Sequence, residues 1–303
     1  MSFHSGEIAV QTQARVREEA KQLLKVISRI IKPATQEFLR TQQLAIASTI
    51  DVNGRVWADL LTGKPGFVKV LSEQTLEIDA MWRANHSEVS ILHKNLLFNS
   101  QLGLLVIDLV SRRRLRLNGK AEINPEGKIN LEIQQAFFNC PKYIQIRHLE
   151  KNIALSSKPT EIFTRNSLSE IDKHWITQAD TFFIASSHPE IGADASHRGG
   201  FPGFVQVVNN NKLMFPDYAG NNMFQTLGNL LINPNAGLLF VDFEQGNTLQ
   251  LTGKAQVIWD AELLNAFAGA QRLVELEVEQ VVFMRNATNL SWRFGEYSPV
   301  NPG

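Results

Sequence analysis

The chain has 303 residues, with 30 Lys+Arg balanced by 30 Asp+Glu, and is 44% hydrophobic and 20% charged. These proportions exclude disorder, collagen and coiled coil as whole-chain classes, and the length leaves room for two domains, each burying its own core. Zero formal net charge gives no global field for nucleic acid or an acidic membrane face, and one cysteine, Cys140, excludes an intramolecular disulfide and any Cys-rich metal or iron–sulfur site.

The first twenty residues show no basic start followed by an apolar core, so no signal peptide is expected. The longest apolar runs, such as Leu102 to Val110, are too short for a helical span and contain Asp108. A cytoplasmic protein with no membrane or nucleic-acid partner is the expectation. Residues 14–31 carry apolar positions at helical spacing, and Pro33 ends them, which predicts a helix in an N-terminal extension of residues 1–33.

From there the chain repeats itself. Ile46-Ala47-Ser48 recurs as Ile184-Ala185-Ser186, and Pro65-Gly66-Phe67-Val68 as Pro202-Gly203-Phe204-Val205. Gly103-Leu104-Leu105-Val106-Ile107-Asp108 recurs as Gly237-Leu238-Leu239-Phe240-Val241-Asp242, and Leu117-Asn118-Gly119-Lys120-Ala121 as Leu251-Thr252-Gly253-Lys254-Ala255. The order is kept while the offset drifts only from 138 to 134, which indicates a duplicated domain. The first copy is expected over 34–150, a polar linker over 151–172 and the second copy over 173–303.

Each copy reads as strands. Phe204 to Val208 alternates, Asn209-Asn210-Asn211 turns, and Lys212 to Phe215 continues, the pattern of a hairpin. Gly237 to Phe243 reads as a buried strand, and Thr248 to Gly253 alternates again. About six short strands per copy predict a small antiparallel barrel. Helices are predicted at 128–139, at Met223 to Ile232 with Asn221 or Asn222 as N-cap and Pro234 beyond its end, and at 261–280. The fold class is mainly β with accessory helices.

Two stretches of the second copy suggest a site. One is Asp194-Ala195-Ser196-His197-Arg198-Gly199-Gly200; the other is Phe215-Pro216-Asp217-Tyr218-Ala219-Gly220-Asn221-Asn222, leading into a helix. An ordinary turn and N-cap would account for the second stretch, because most helix starts bind nothing. It would also make a phosphate site, since unpaired amides and the helix dipole favour anions, and Arg198 beside glycines offers a forked cation.

The run DASHRGG-x-PGFV, then L-x-FPDYAGNN, NLLINPNAGLLFVDF and LQLTGKA resembles the pyridoxamine 5'-phosphate oxidase-related, FMN-binding split-barrel family, in its tandem-barrel branch of predicted flavin-nucleotide-binding proteins. The first half fits the same branch through Phe3-His4-x-Gly6-Glu7, Trp57 to Gly63 and Asn139-Cys140-Pro141-Lys142-Tyr143-Ile144-Gln145. The resemblance implies two tandem split barrels forming an internal pseudo-dimer with FMN between them. It implies that Ser196, His197, Arg198 and Gly199 line the flavin-contacting strand, and that Phe215, Pro216 and Asp217 run beneath the ring and ribityl chain. Asn221 and Asn222 stand where the vitamin-making oxidases place Arg and Lys on the phosphate. These neutral residues argue against pyridoxamine phosphate oxidation itself.

At the positions of Ser196 to Gly200 the first copy has the Leu60-Leu61-Thr62-Gly63 neighbourhood, and at Phe215-Pro216-Asp217 it has Ile78-Asp79-Ala80, followed by Met81 and Trp82 with Arg83, Asn85 and His86 nearby. The first copy therefore reads as a degenerate cradle. By analogy with single-barrel relatives it would supply Asn139, Lys142 and Gln145 across the interface, giving one FMN per chain. Arg198 or Lys142 would stabilise the charge of reduced flavin, and His197 would deliver a proton or contact substrate, unless it is a solvated loop residue. The expected activity is a flavin-dependent oxidoreductase on a small-molecule substrate, with a reductase or ferredoxin-type electron donor and room for a homodimer. The rivals are a non-catalytic flavin module, a split barrel using haem or deazaflavin, and a vestigial site.

Other residues carry blander readings. Cys140 reads as a small buried hydrophobe rather than a redox group. Arg112-Arg113-Arg114 and Arg116 could hold an anion, but read first as a hairpin turn and the solvent face of its strand. No metal site is expected from His86 and His93, or from His188 and His197.

Overall fold

The computed structural model describes residues 2–80, 90–150 and 159–302. Met81, Trp82, Arg83, Asn85 and His86, and the Ser156-Ser157-Lys158 part of the expected linker, lie outside the described residues. The chain opens with helices α1 (Ser5–Gln13), α2 (Arg17–Leu23) and α3 (Pro33–Leu39). Strands β1 (Leu44–Ile50), β2 (Val56–Thr62), β3 (Val68–Val70) and β4 (Thr75–Ile78) follow, then α4 (Ile91–Phe98). Next come β5 (Gln101–Asp108), β6 (Arg113–Ile123), β7 (Ile129–Asn139), β8 (Ile146–Glu150) and β9 (Glu161–Arg165).

The second half begins with α5 (Glu170–Gln178) and repeats the plan. It comprises β10 (Thr181–His188), β11 (Gly192–Gly199), β12 (Gln206–Asn209), β13 (Lys212–Asp217), α6 (Gln225–Ile232), β14 (Asn235–Asp242) and β15 (Asn247–Ile258). Short α7 (Ala261–Leu264), β16 (Arg272–Arg285) and β17 (Ser291–Glu296) complete it. The two main sheets are antiparallel, in orders β2-β1-β5-β6-β7-β4-β3 and β11-β10-β14-β15-β16-β13-β12. Adding nine to each strand of the first gives the second, so the duplication seen in sequence is a duplication of topology. The molecule is two tandem split barrels joined as an internal pseudo-dimer.

Each barrel has its own apolar core, and a third cluster joins them, including Leu44, Ile46, Ala58, Leu105, Phe183, Ala195, Leu239 and Trp292. Two matched glycines set the approach. A Cβ at Gly103 would lie 2.6 Å from the Asp194 Cα, and a Cβ at Gly237 would lie 2.6 Å from the Val56 carbonyl oxygen. Only glycine admits backbone this close. The register also corrects one repeat block. Ser48 pairs with Gly103, and Ala185, not Ser186, pairs with Gly237, so the first strands correspond at an offset of 137.

Three helix expectations are revised. The helix expected over 14–31 is broken at Arg15, which has φ +59, and α1 starts earlier at a His4/Glu7 capping box. Its buried face holds Gly6, Glu7, Val10 and Gln11, too polar to stand out as an apolar stripe. Residues 128–139 form β7, with Ile129, Leu131 and Ile133 buried and Glu132 outward, which is period two rather than 3.6. Of 261–280 only Ala261–Leu264 is helical; Gly269 (φ +73) turns the chain and Arg272 starts a strand. The described part of the expected linker is ordered structure: β9 pairs with β16, and Ser169 caps α5.

Candidate cofactor site

A cleft opens where the repeats meet. The first repeat supplies the start of β6 and the segment after β7: Arg114, Arg116, Asn139, Cys140, Lys142 and Tyr143. The second supplies the end of β11, the end of β13 and the start of α6, with Arg198, Asp217, Tyr218, Asn222, Gln225 and Thr226 among the lining residues. β11 is an edge strand, so its last residues are free to face the partner barrel.

Charge is concentrated here although the chain is neutral overall. Four lining cations, Arg114, Arg116, Lys142 and Arg198, face one lining carboxylate, Asp217. Asp217 is itself held by Arg272, whose Nε and Nη2 donate at 3.0 and 2.8 Å, with Arg198 Nη2 at 3.6 Å. Arg198 Nη1 donates to the Ser196 hydroxyl at 3.0 Å, while its buried Nε has no partner among the described residues. Burial pulls the Arg198 pKa down, and Asp217 opposes that shift. Arg116 crosses the interface to Asp194 (2.9 Å), Ser196 (2.7 Å) and Gln225 (3.0 Å).

The start of α6 differs from its expectation. Its N-cap is Phe224, in the left-handed region at φ +59 and giving no side-chain cap, so neither Asn221 nor Asn222 caps it. The Asn221 side chain instead closes its own turn, accepting from the Met223 amide at 3.2 Å, and Asn222 takes φ +61. First-turn amides of a helix lack intrahelical partners. Those of Gln225, Thr226 and Leu227 belong to residues lining the cleft. Helix α1 braces this turn from behind: Gln11 donates to the Met223 carbonyl at 3.0 Å, and Gly6 meets Gly228 of α6 backbone to backbone.

Of the residues singled out from sequence, Asn139, Lys142, His197, Arg198, Gly199, Pro216, Asp217, Asn221 and Asn222 line the cleft. Ser196, Phe215 and Gln145 do not. Ser196 lies beneath, accepting from two arginines. Phe215 is fully buried against Phe182 in the barrel core. Gln145 is consumed by the backbone: its Nε2 donates to the Asp180 and Gly200 carbonyls, and its Oε1 accepts from the Ser298 amide.

His197 is neither a loop residue nor solvated. It lies on β11, 2% exposed, and burial together with Arg114, Arg198 and Arg147 holds its pKa well below the usual histidine value. Its Nδ1 accepts from Arg114 at 3.2 Å, because a guanidinium can only donate, which leaves the proton on Nε2. The imidazole is therefore neutral and unsuited to deliver a proton as imidazolium. Cys140 is half-buried at the cleft, with Sγ 3.8 Å from Arg114 Nη2.

The arginine run is the main correction. Arg112 pairs outward with Glu296 and Arg113 is exposed over Phe38, but Arg114 and Arg116 are 7% and 6% exposed. They point across the interface rather than to solvent. One signal was available: at the same strand positions the second repeat has Thr248 and Gln250. A charge present in one copy and absent from the other marks a role the shared fold does not need.

A family model described as pyridoxamine 5'-phosphate oxidase matches the chain twice, over residues 31–164 and 169–289. The chain belongs to that family of flavin-binding split barrels, as two tandem copies. Among solved structures it is similar to HupZ of Group A Streptococcus (12% identity, TM-score 0.31, 37% of this chain and 90% of that one). It is also similar to a putative pyridoxamine 5'-phosphate oxidase from Lactobacillus delbrueckii (15%, TM-score 0.33, 39% and 94%). A third is an FAD-binding protein from Mycobacterium smegmatis (17%, TM-score 0.28, 40% and 98%). No curated protein matches the chain. Among the described residues no helix is long and apolar enough to cross a membrane.

Proposed function

We propose that the cleft binds one FMN per chain and that the protein is a flavin-dependent oxidoreductase acting on a small molecule. The observation that carries this reading is the pairing of an uncapped helix start with a surplus of buried cations in one inter-barrel cleft. The donor set fits FMN: the α6 amides and Asn222 suit a phosphate, and the unpartnered Arg198 Nε is a buried donor awaiting an acceptor. Gly220 leaves open space, with nothing nearer a virtual Cβ than 3.9 Å.

Bound flavin supplies two-electron transfer to and from carbon or another acceptor. The chain's own groups do the rest. Arg198 and Lys142 add positive potential where electron density accumulates on reduction. Asp217, fixed by Arg272, orients Arg198. Neutral His197 holds Arg114 in place and keeps one proton at Nε2. Tyr143 and Tyr218, packed edge to face at 5.2 Å, narrow the cleft and exclude water. Substrate would enter beside these rings, and electrons would come from a reductase or ferredoxin-type partner.

The test is the visible spectrum of protein purified without added cofactor and again after FMN loading and gel filtration. The reading expects a flavin spectrum near one equivalent per chain, lost in Arg198→Ala/Asn222→Ala. Two equivalents would sink the single-site reading. A Soret band, deazaflavin absorption, or no chromophore and no thermal shift with FMN would sink the flavin reading.

A further inference from the structure

Four arginines are buried among the described residues: Arg114, Arg116, Arg147 and Arg272. Three have carboxylate partners: Arg116 with Asp194 at 2.9 Å, Arg147 with Asp180 at 2.5 Å and Arg272 with Asp217 at 2.8 Å. Arg114 has none. Its Nε donates to the Cys140 carbonyl at 3.1 Å, and its Nη1 to the His197 carbonyl and ring, both at 3.2 Å. Among the described residues its Nη2 has only the Cys140 sulfur at 3.8 Å. A guanidinium carries five N–H donors, so the Nη2 edge is under-used. Burying a charge without a counter-ion is costly, and neutral acceptors recover only part of that cost.

Lys142 lies three residues beyond β7, half-buried, lines the same cleft, and has no carboxylate within ion-pair distance among the described residues. Beside it, Tyr143 and Tyr218 present aromatic surface. Both cations belong to the first repeat. The phosphate-type donors at the start of α6, and Arg198, belong to the second.

We propose that Arg114 and Lys142 form a second anion subsite on the first-repeat wall, and that it takes the carboxylate of an aromatic or otherwise planar organic acid. This deepens the flavin reading by naming a substrate class for the same cleft. Two donors on separate side chains, one forked guanidinium and one ammonium, suit the two oxygens of a carboxylate. The neighbouring tyrosine rings suit a flat apolar body. The second repeat has Thr248 where Arg114 stands, so the subsite exists once per chain.

The test titrates FMN-loaded protein with benzoate, using benzyl alcohol as the neutral control and inorganic phosphate as the competing anion. Binding is read by flavin difference spectrum and by calorimetry. Saturable benzoate binding is expected, with benzyl alcohol weaker by about ten-fold or more. Arg114→Met and Lys142→Gln should each weaken benzoate by a similar factor, with FMN stoichiometry unchanged in Arg114→Met, and Arg114→Lys should recover part of the loss. No benzoate binding to wild-type protein, or equal binding by Arg114→Met, would overturn the subsite. Phosphate binding as tightly through the same two residues would overturn the carboxylate assignment. If Arg114→Met does not fold by circular dichroism, Lys142→Gln and the neutral control decide alone. If wild-type protein retains no FMN, the flavin reading fails separately, and calorimetry of benzoate on flavin-free protein still decides the subsite.

Discussion

The internal pseudo-symmetry gives the inter-barrel interface two equivalent sides, and they carry different side chains. Strand register places Leu61 where the second repeat has Arg198, and Ala80 where it has Asp217. Thr248 and Gln250 face the first repeat where Arg114 and Arg116 face the second. One side is the cation-lined cleft. At the other, Asp59 is buried, with one carboxylate oxygen on Gln250 at 2.8 Å and the other unpartnered among the described residues. The shared scaffold, meanwhile, keeps Gly66/Gly203, Gly103/Gly237 and Gly119/Gly253 at matching positions. Features kept in both copies serve the fold, and features present in one copy serve something the fold does not require.

The sharpest way to break that division is at the matched glycines. Gly103→Val and Gly237→Val should both destabilise the protein by several kcal/mol, on the order of 3 or more, because each added Cβ meets backbone at 2.6 Å and the interface cannot yield without separating the barrels. Urea denaturation would measure this. A large loss at one glycine with near-neutrality at the other would show that the interface is not symmetric in energy.

Those glycines were legible in the sequence because they recur in blocks of identical order, and the strands around them alternate cleanly. Residues 128–139 and most of 261–280 were not. Their outward residues are Asn, Gln and Glu, which suit a solvated helix face as well as an outward strand face, and only pairing with β6 and β15 decides for strand. The second-repeat wall of the cleft was readable because Arg198, Asp217 and Asn222 sit beside glycine and proline turns. The first-repeat wall was not. Arg114 and Arg116 alternate with leucines, the signature of a half-solvated strand. What buries them is the other barrel, which no local pattern encodes.

Two buried carboxyls of the first half differ in what they pack against: Asp59 meets Gln250 across the interface, and Glu7 lies on α1 behind α6. Burial pushes Asp59 up to about 7, and burial also pushes Glu7, on the helix behind α6, up to about 7. Both keep a proton in the folded state that the unfolded chain releases near pH 4, so each contributes stability that is full below pH 4 and lost as pH rises to about 7. Histidines 4 and 197, with lowered pKa values, act in the opposite sense below pH 6.5 and mask this in wild-type protein. The difference between Asp59→Asn and wild type should remove the masking. It should grow in favour of the variant from pH 4 to 7, by on the order of 3 kcal/mol, and level off above. Glu7→Gln should behave alike, its amide oxygen still able to accept from the His4 amide. A variant-minus-wild-type difference that is flat in pH would mean that Asp59 stays ionised and finds a partner.

The smallest expected effects separate binding from stability at a single pair of equivalent positions. Leu61→Met keeps volume in a packed core and should cost less than about 1.5 kcal/mol, with FMN binding unchanged. Arg198→Met removes a guanidinium whose only carboxylate contact among the described residues, Asp217, keeps Arg272 at 2.8 Å, so stability should also change little. Its effect should fall on the ligand: loss of a charge-assisted donor in the cleft should weaken FMN by about ten- to a hundred-fold. Fluorescence titration of FMN and thermal melts of both variants give the four numbers needed. If Arg198→Met binds FMN as wild type does and Leu61→Met does not, the cradle lies in the first repeat and the charge asymmetry has been assigned to the wrong task. If both lose FMN equally with equal loss of stability, the asymmetry between the two sides of the interface concerns folding and not the ligand.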